Sequence, residues 1–352
     1  MTSTAVTDTA AWTVLLKRLD AFGLDDIYFR PAYAALYARP GDSIEAFTFE
    51  HDDQIFLLPW VVRAIETDTP GGPAFDFETP YGYGGPLSTS DDPAFITAAW
   101  EALTEHCRQR GIICGFLRFH PLLDNHRWAD PSLVGVVDDR QTVVLSLGQS
   151  PESVTTAYAR ETRNKVRKAE KTGVNVAVRT DCNGLERFAH LYAEHMAELG
   201  AHEDYLFGED YFNAIQTLGD GNWRVYLAQY DGMDIGGALV LLSRRFAHYH
   251  LSSSLRAHAA LAPNNLLRHA VTMDLLNSGR ERLHYGGGLS GDPADSLLRF
   301  KAGYSPERAC FRFGTFIADG ARHEAIRAEW SLRFPHLVER FGRRLLCYRY
   351  RT

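Results

Sequence analysis

Between His284 and Pro306 the chain reads HYGGGLSGDPADSLLRFKAGYSP. Two kinds of residue in this stretch can do chemistry. Gly286, Gly287 and Gly288 directly follow a strand-like triplet and leave backbone N–H groups open to a ligand. Lys301 stands beside Phe300, with Leu297 and Leu298 close in sequence. A lysine against apolar walls can serve as a charged clamp or a proton donor. The plainer account is a lysine whose stem covers apolar surface while its head reaches water.

Three other segments carry comparable chemistry. In YARETRNKVRKAEKTG, Arg160, Arg163, Lys165, Arg167, Lys168 and Lys171 fall within a few helical turns, and Arg160, Arg163 and Arg167 share a face. Such a stripe attracts phosphates, although a solvated helix face with Glu161 and Glu170 in compensation is the plainer account. TPYGYGGPL sets Tyr81 and Tyr83 among glycines, which suits close approach of backbone to a ligand or simply a tight turn between strands. In HYHLSSSLRAHAALAPNNLL a strand carrying His250 and Ser252 leads to Asn264 and Asn265 at a helix mouth, where they bind polar groups or cap the helix. With Gly286, Gly287, Gly288, Phe300 and Tyr304, these residues form the candidate substrate-binding set around Lys301.

Other classes of chemistry lack their patterns. There is no G-x-S-x-G nucleophile elbow and no G-x-G-x-x-G or GK[ST] phosphate loop. His190 and His195 are spaced i, i+5, off the one-face spacing of a helical metal pair, and no metal site is expected. The five cysteines are scattered with no C-x-x-C, which argues for buried thiols over disulfides or zinc. Asp25-Asp26 and Asp91-Asp92 read as loop and cap residues. A net charge of −7 excludes a generally basic nucleic-acid coat, so any such contact must come from a local patch.

The elements that position these residues follow from pattern. At 352 residues the chain calls for two domains, and GQSP at 148–151 marks the boundary, giving 1–149 and 150–352. In the first, helices are expected over Thr9–Phe22 and Asp92–Arg110, a hairpin over Ser43–Glu50 and Gln54–Val62, and strands over Ile112–His120 and Thr142–Leu147. In the second, one basic helix spans Ser153–Thr172. Strands cover Val174–Val178, Trp223–Tyr230, Ile235–Leu242, Ala247–Ser252, Arg282–Tyr285 and Ala309–Ile317. Helices cover Gly184–Leu199, Glu209–Leu218 and Pro263–Ser278, and the tail adds one or two more. Both halves read as α/β. No apolar run approaches a membrane span, and the polar start MTSTAVTDTAAW has no secretory pattern, which points to the cytoplasm.

Taken in order, TPYGYGGPL, RETRNKVRKAEKTGV, YHLSSS…APNNLL and LHYGGGLSGDPADSLLRFKAGYSP resemble the FemABX-like branch of the GNAT superfamily. The resemblance implies two tandem GNAT-like α/β (α+β) domains, each a mixed, mostly antiparallel sheet flanked by helices. It implies an acyltransferase that moves an aminoacyl group from aminoacyl-tRNA to an amine, either a peptidoglycan precursor or a small natural-product amine. Lys301 maps onto the family's reaction-centre lysine, with Phe300 beside it. Arg163, Lys165, Arg167 and Lys168 map onto its basic helix, with Arg160 adjoining as a tRNA or phosphate contact. The coiled-coil arm of the larger members is absent, so this is a compact form.

Acyl-CoA enzymes of the superfamily hold pyrophosphate with a glycine-rich loop at a helix start. The corresponding stretch here, SLRAHAALAPNN (254–265), has no glycine, and its proline lacks an N–H. Aminoacyl-tRNA is therefore the expected co-substrate and no cofactor is called for. Acyl-CoA-dependent N-acetylation is the alternative, and a non-catalytic binding protein with the same fold is the rival from another class.

Overall fold

The computed structural model describes residues 2–200 and 206–351. The chain divides into two compact units, Met1–Asp139 with Phe311–Thr352, and Arg140–Cys310. In this division the tail groups with the first unit, whereas a partition at residues 149 and 150 leaves it with the second.

The first unit opens with a strand the sequence reading did not foresee, β1 (Thr2–Val6), followed by α1 (Thr9–Asp20) and the short α2 (Pro31–Ala35). The expected hairpin is β2 (Ser43–His51) and β3 (Gln54–Ile65), turned at Asp52 with φ +51°. Next come β4 (Ala74–Glu78), β5 (Leu87–Ser88), α3 (Pro93–Gln109) and β6 (Ile112–Arg118). Asp92 starts α3 by accepting from the Ala94 N–H at 3.1 Å, and Pro93 occupies the first helical position. β1, β2, β3 and β4 pair antiparallel in that order, and β4 pairs parallel with β6. The core between sheet and helices is aromatic: Trp12, Phe47, Phe56, Trp60, Phe77 and Trp100 are essentially unexposed.

β7 (Val134–Ser146) enters the second unit from Arg140 onward. That unit continues through α4 (Pro151–Ala157), α5 (Arg160–Lys171), β8 (Asn175–Arg179), α6 (Cys182–Leu199), α7 (Glu209–Ile215), β9 (Trp223–Tyr230), β10 (Met233–Leu242), β11 (Phe246–Ser254), α8 (Pro263–Leu275), β12 (Arg282–Gly287), α9 (Ser296–Ala302) and the start of β13 (Arg308–Ile317). The sheet order from β7 is β12, β11, β10, β9, β8, antiparallel except for the parallel pair β12–β11. Asp231 and Gly232 turn the β9–β10 hairpin with φ +50° and +74°. Each unit is thus a mixed, mostly antiparallel sheet flanked by helices.

Besides β1, two elements differ from the sequence reading. The single basic helix is broken into α4 and α5, because Tyr158 and Ala159 adopt extended backbone with ψ 146° and 147°. The break turns Tyr158 into the core, where its ring meets Tyr304 edge-on at 5.1 Å, and the Ala159 N–H donates to the Gly303 carbonyl at 2.9 Å. Tertiary packing overrides helix continuity here. The stretch around Lys301, read as loop, forms α9, capped by Asp295 accepting from the Leu298 N–H at 2.9 Å.

The chain then returns to the first unit. The later part of β13 pairs antiparallel with β6, and α10 (Gly320–Arg333) and α11 (Val338–Phe341) follow. The tail is anchored by charge. Asp76, fully buried on β4, accepts from Arg349 at 2.6 and 3.0 Å and from the Tyr348 hydroxyl at 3.0 Å. Removing one partner of such a pair strands a buried charge. Arg349→Ala is expected to destabilise the first unit by about 3–5 kcal/mol in chemical denaturation. Adding Asp76→Asn to that variant should recover part of the loss.

Candidate active site

β12 ends in a distorted edge. Its register with β7 shifts between His284 and Gly286, after which Gly286 pairs with Val143 and Gly287 with Thr142. Gly286 has φ +79°, a conformation that favours glycine. Gly286 and Gly287 therefore continue the strand, where the sequence reading had all three glycine N–H groups open to a ligand. Gly288 is required for space: a Cβ there would lie 2.4 Å from the Asp295 Oδ1. Asp295 folds the following loop by accepting from the N–H groups of Leu289 and Ser290 at 3.0 and 3.2 Å while it caps α9. Arg140 donates to the Gly288 and Leu289 carbonyls at 3.1 and 2.9 Å.

These contacts aim α9 back at the strand end. Lys301, in the last turn of α9, donates from Nζ to the Gly287 carbonyl at 2.6 Å. Burial brings its ammonium down to about 7, and the nearby charge of Arg268 pushes in the same direction; Asp295 opposes and Arg140 adds slightly. Lys301 is thus divided between charged and neutral forms near neutral pH, the range in which a lysine exchanges protons with a reacting group.

Phe300 and Tyr304 flank this lysine. Tyr304 is fully buried, its hydroxyl accepting from the Asn265 Nδ2 at 2.9 Å and donating to the Asn265 carbonyl at 3.2 Å. Asn264 donates to the Ser254 Oγ at 2.7 Å. Neither asparagine caps α8, which starts from Ala262 in the left-handed region at φ +56° with no side-chain cap. The cap expected of at least one of them is replaced by these tertiary bonds. His250 lies at a bulge of β11, its Nε2 2.7 Å from the Tyr211 hydroxyl, and burial lowers it to about 3, so it is neutral. Ser252, half-buried, pairs with Ala238 on β10.

Asn265, Gly287, Phe300, Lys301 and Tyr304 are therefore linked by direct contacts through α8, β12 and α9. Tyr81 and Tyr83 belong to an aromatic group of the first unit. The Tyr81 carbonyl accepts from the Tyr33 hydroxyl at 2.8 Å, and the Tyr83 ring meets Tyr28 and Phe311 at 5.3 and 5.5 Å. On α5, Arg160, Lys165, Arg167 and Lys168 are exposed and form no ion pair among the described residues. Arg163 differs. Its guanidinium donates to the Thr156 carbonyl at 2.8 Å and to that of Tyr158, closing the end of α4.

The sequence reading missed Arg268. It is 3% exposed, and its guanidinium carbon lies 4.2 Å from the ring centre of Tyr249, 4.9 Å from Phe300, 5.5 Å from Tyr304 and 5.7 Å from Tyr285. The signal was present: an arginine inside the apolar stripe of α8 with Leu267, Val271 and Leu275.

The acetyltransferase (GNAT) domain family matches residues 157–302, which span α5, α8 and Lys301. FemX aligns over 93% of this chain and 100% of its own, with TM-score 0.70 and 13% identity. A tandem GNAT protein from the clavulanic acid biosynthesis pathway covers 90% of this chain and 99% of its own at TM-score 0.51 and 13% identity. L-PGS from Bacillus licheniformis covers 86% and 91% at TM-score 0.54 and 10% identity. No curated protein matches the chain. The chain thus has the FemX-type, GNAT-like fold expected from its motifs, and residues 157–302 match the acetyltransferase (GNAT) domain family.

The low value of Lys301 has a consequence for stability. An unfolded lysine titrates near 10.4, so between about pH 7 and that value the unfolded chain binds more protons. Stability from this group therefore rises with pH across the window, and below pH 7 its buried charge is a cost. Lys301→Met should melt higher than the parent at pH 6 in scanning calorimetry. The gap should close as pH rises toward 10; a gap independent of pH would contradict the burial of this charge.

Proposed function

We propose that the protein is an N-acyltransferase that moves an aminoacyl group from aminoacyl-tRNA to an amine acceptor, with Lys301 at the reaction centre. The observation that carries the reading is the placement of Lys301, with its lowered proton affinity, against the strand end at Gly287 and within the GNAT-matched region.

The acceptor amine attacks the ester carbonyl carbon of the donor. A C–N bond forms, the C–O bond to the ribose breaks, and the proton lost by the amine ends on the ribose oxygen. The ester is already activated, so positioning and charge stabilisation suffice without a protein nucleophile. Protonated Lys301 would hydrogen-bond the developing oxyanion or hand a proton to the leaving oxygen. Tyr304, Asn265 and the Gly286–Gly288 segment would hold the acceptor and keep the lysine aimed. His250, Ser252 and Asn264 of the second unit are further proposed substrate contacts, and Tyr81 and Tyr83 are kept as proposed contacts within the first unit. The partition into halves 1–149 and 150–352 is kept as a proposal for the tandem repeat.

Two features favour the tRNA donor that the FemABX resemblance implies. The exposed, unpaired cations of α5 suit a polyphosphate chain, with Arg160, Lys165, Arg167 and Lys168 as its contacts; Arg163 would act mainly by bracing α4. The start of α8 is poorly built for pyrophosphate: Pro263 has no N–H and the Asn265 amide is already bonded to the Ala262 carbonyl at 3.1 Å. Among the described residues no helix is long and apolar enough to cross a membrane, and we place the reaction in the cytoplasm, with a peptidoglycan precursor or small natural-product amine as acceptor.

Parallel incubation with charged tRNA and with acetyl-CoA, each with and without ribonuclease, tests the donor. Ribonuclease-sensitive amide formation is expected; transfer from acetyl-CoA alone would reverse the assignment. Lys301→Ala should lower kcat by at least about 100-fold while remaining folded, and near-parental turnover would remove its role. Arg167→Ala with Lys168→Ala should weaken tRNA binding and flatten its dependence on salt by about two units of log–log slope. An unchanged slope would take α5 out of the donor site.

A further inference from the structure

Among the described residues Arg268 is a cation without a counter-ion. Its side chain makes no ion pair and no hydrogen bond with them, and its Nε is buried and unpartnered. The hydroxyl of Tyr249, whose ring lies under the guanidinium, is also buried without a partner, and Tyr249 is 7% exposed. Burying an unpaired charge costs several kcal/mol in general. Cation–π contacts with four rings recover part of that, yet they leave its buried Nε–H without an acceptor. A helix that needed only packing here would carry leucine, as it does at Leu267 and Leu275. Arg268 also destabilises the charged form of Lys301, so the two cations oppose one another across Phe300.

We infer that Arg268 and the Tyr249 hydroxyl form a subsite for a carboxylate carried by the acceptor, which is therefore an amino acid or peptide-like amine and not a simple alkylamine. The inference rests on the acyl-transfer reading of the site. A guanidinium edge matches a planar carboxylate with paired N–H donors, and a phenol adds a third donor. Half-buried Phe300, its ring centre 4.9 Å from the guanidinium carbon, and half-buried Lys301 are the parts of this cluster nearest to solvent, so an anion would reach the guanidinium edge from their side. In an aminoacyl ester the donor's own α-carboxyl is consumed in the ester, so a free α- or C-terminal carboxylate comes from the acceptor. Its arrival neutralises Arg268 and favours the protonated form of Lys301, in the same direction as Asp295 and against Arg140. Binding the correct acceptor thereby charges the lysine that the reaction needs.

The test follows the Lys301 titration by NMR in protein labelled at lysine Cε, with glycine, glycylglycine, glycinamide and dimethyl phosphate as probes. In the parent, glycine or glycylglycine should raise the Lys301 midpoint by about one pH unit, and the response of one over the other distinguishes a free amino acid from a peptide end. Glycinamide should leave the midpoint in place. Arg268→Met should start from a higher midpoint, lose the response to carboxylate, and melt above the parent without ligand. Tyr249→Phe should keep the fold and weaken glycine binding several-fold. Equal responses to glycine and glycinamide, a carboxylate response that survives Arg268→Met, or a response to dimethyl phosphate alone would each overturn the carboxylate subsite. A lower melting temperature for Arg268→Met would do the same, because it would make the arginine structural. None of these readouts requires turnover, so absence of acyl transfer would sink the proposed reaction and leave this assignment standing on its own evidence.

Discussion

The bond from the Lys301 ammonium to the Gly287 carbonyl ties together the parts of the second unit that form the candidate site. It holds the last turn of α9 against the end of β12. The strand is distorted just before this point, by the register shift after His284 and the positive φ of Gly286. The bond also fixes a charge in a place with little water, and this is the source of the lowered proton affinity of the lysine.

The surrounding residues are understood as supports of that bond. Asp295 has two tasks, folding the loop and capping α9, and Gly288 must lack a side chain for Asp295 to come that close. Tyr304 packs on Tyr158, which reaches the core only because the chain breaks between α4 and α5. The same break gives Arg163 two carbonyls to satisfy. A feature of the basic helix and a feature of the lysine site thus have one cause, which explains why an uninterrupted helix over 153–172 would not have served.

Much of this was legible in the sequence, for identifiable reasons. Strands and helices with strong periodicity and caps, such as α3 after Asp92-Pro93 and the β9–β10 hairpin around Asp231-Gly232, are set by local rules. The motif order indicated the fold, and the Phe300–Lys301 pair was visible as a candidate whose lysine the structure turns onto the Gly287 carbonyl. What escaped notice was tertiary. Nothing local marks Tyr158 as a break, since the residues around it favour helix; only Tyr304, 146 positions later, supplies the reason. Asn264 and Asn265 look like caps because asparagine at a helix mouth usually is one, yet their partners are Ser254 and Tyr304. Arg268 was overlooked because an arginine in a long helix is ordinarily read as exposed, although its place in the apolar stripe contradicts that.

The cations of α5 and the pair Lys301–Arg268 carry the same charge and do opposite things with it. Those on α5 stand in water, where their field is screened within about 8 Å at physiological salt. They can gather a large polyanion but cannot discriminate among small groups. Arg268 is shielded from solvent and Lys301 is partly so, and each feels a neighbouring charge more strongly than a cation in open water does. A buried cation pair is unfavourable in the empty protein, and that unfavourable energy is released when an anion of the right shape enters. Selectivity for the acceptor can then arise without a tight pocket, because only a ligand that relieves the repulsion restores the proton to Lys301. The stability given up by burying these charges is thereby converted into a condition on the reaction.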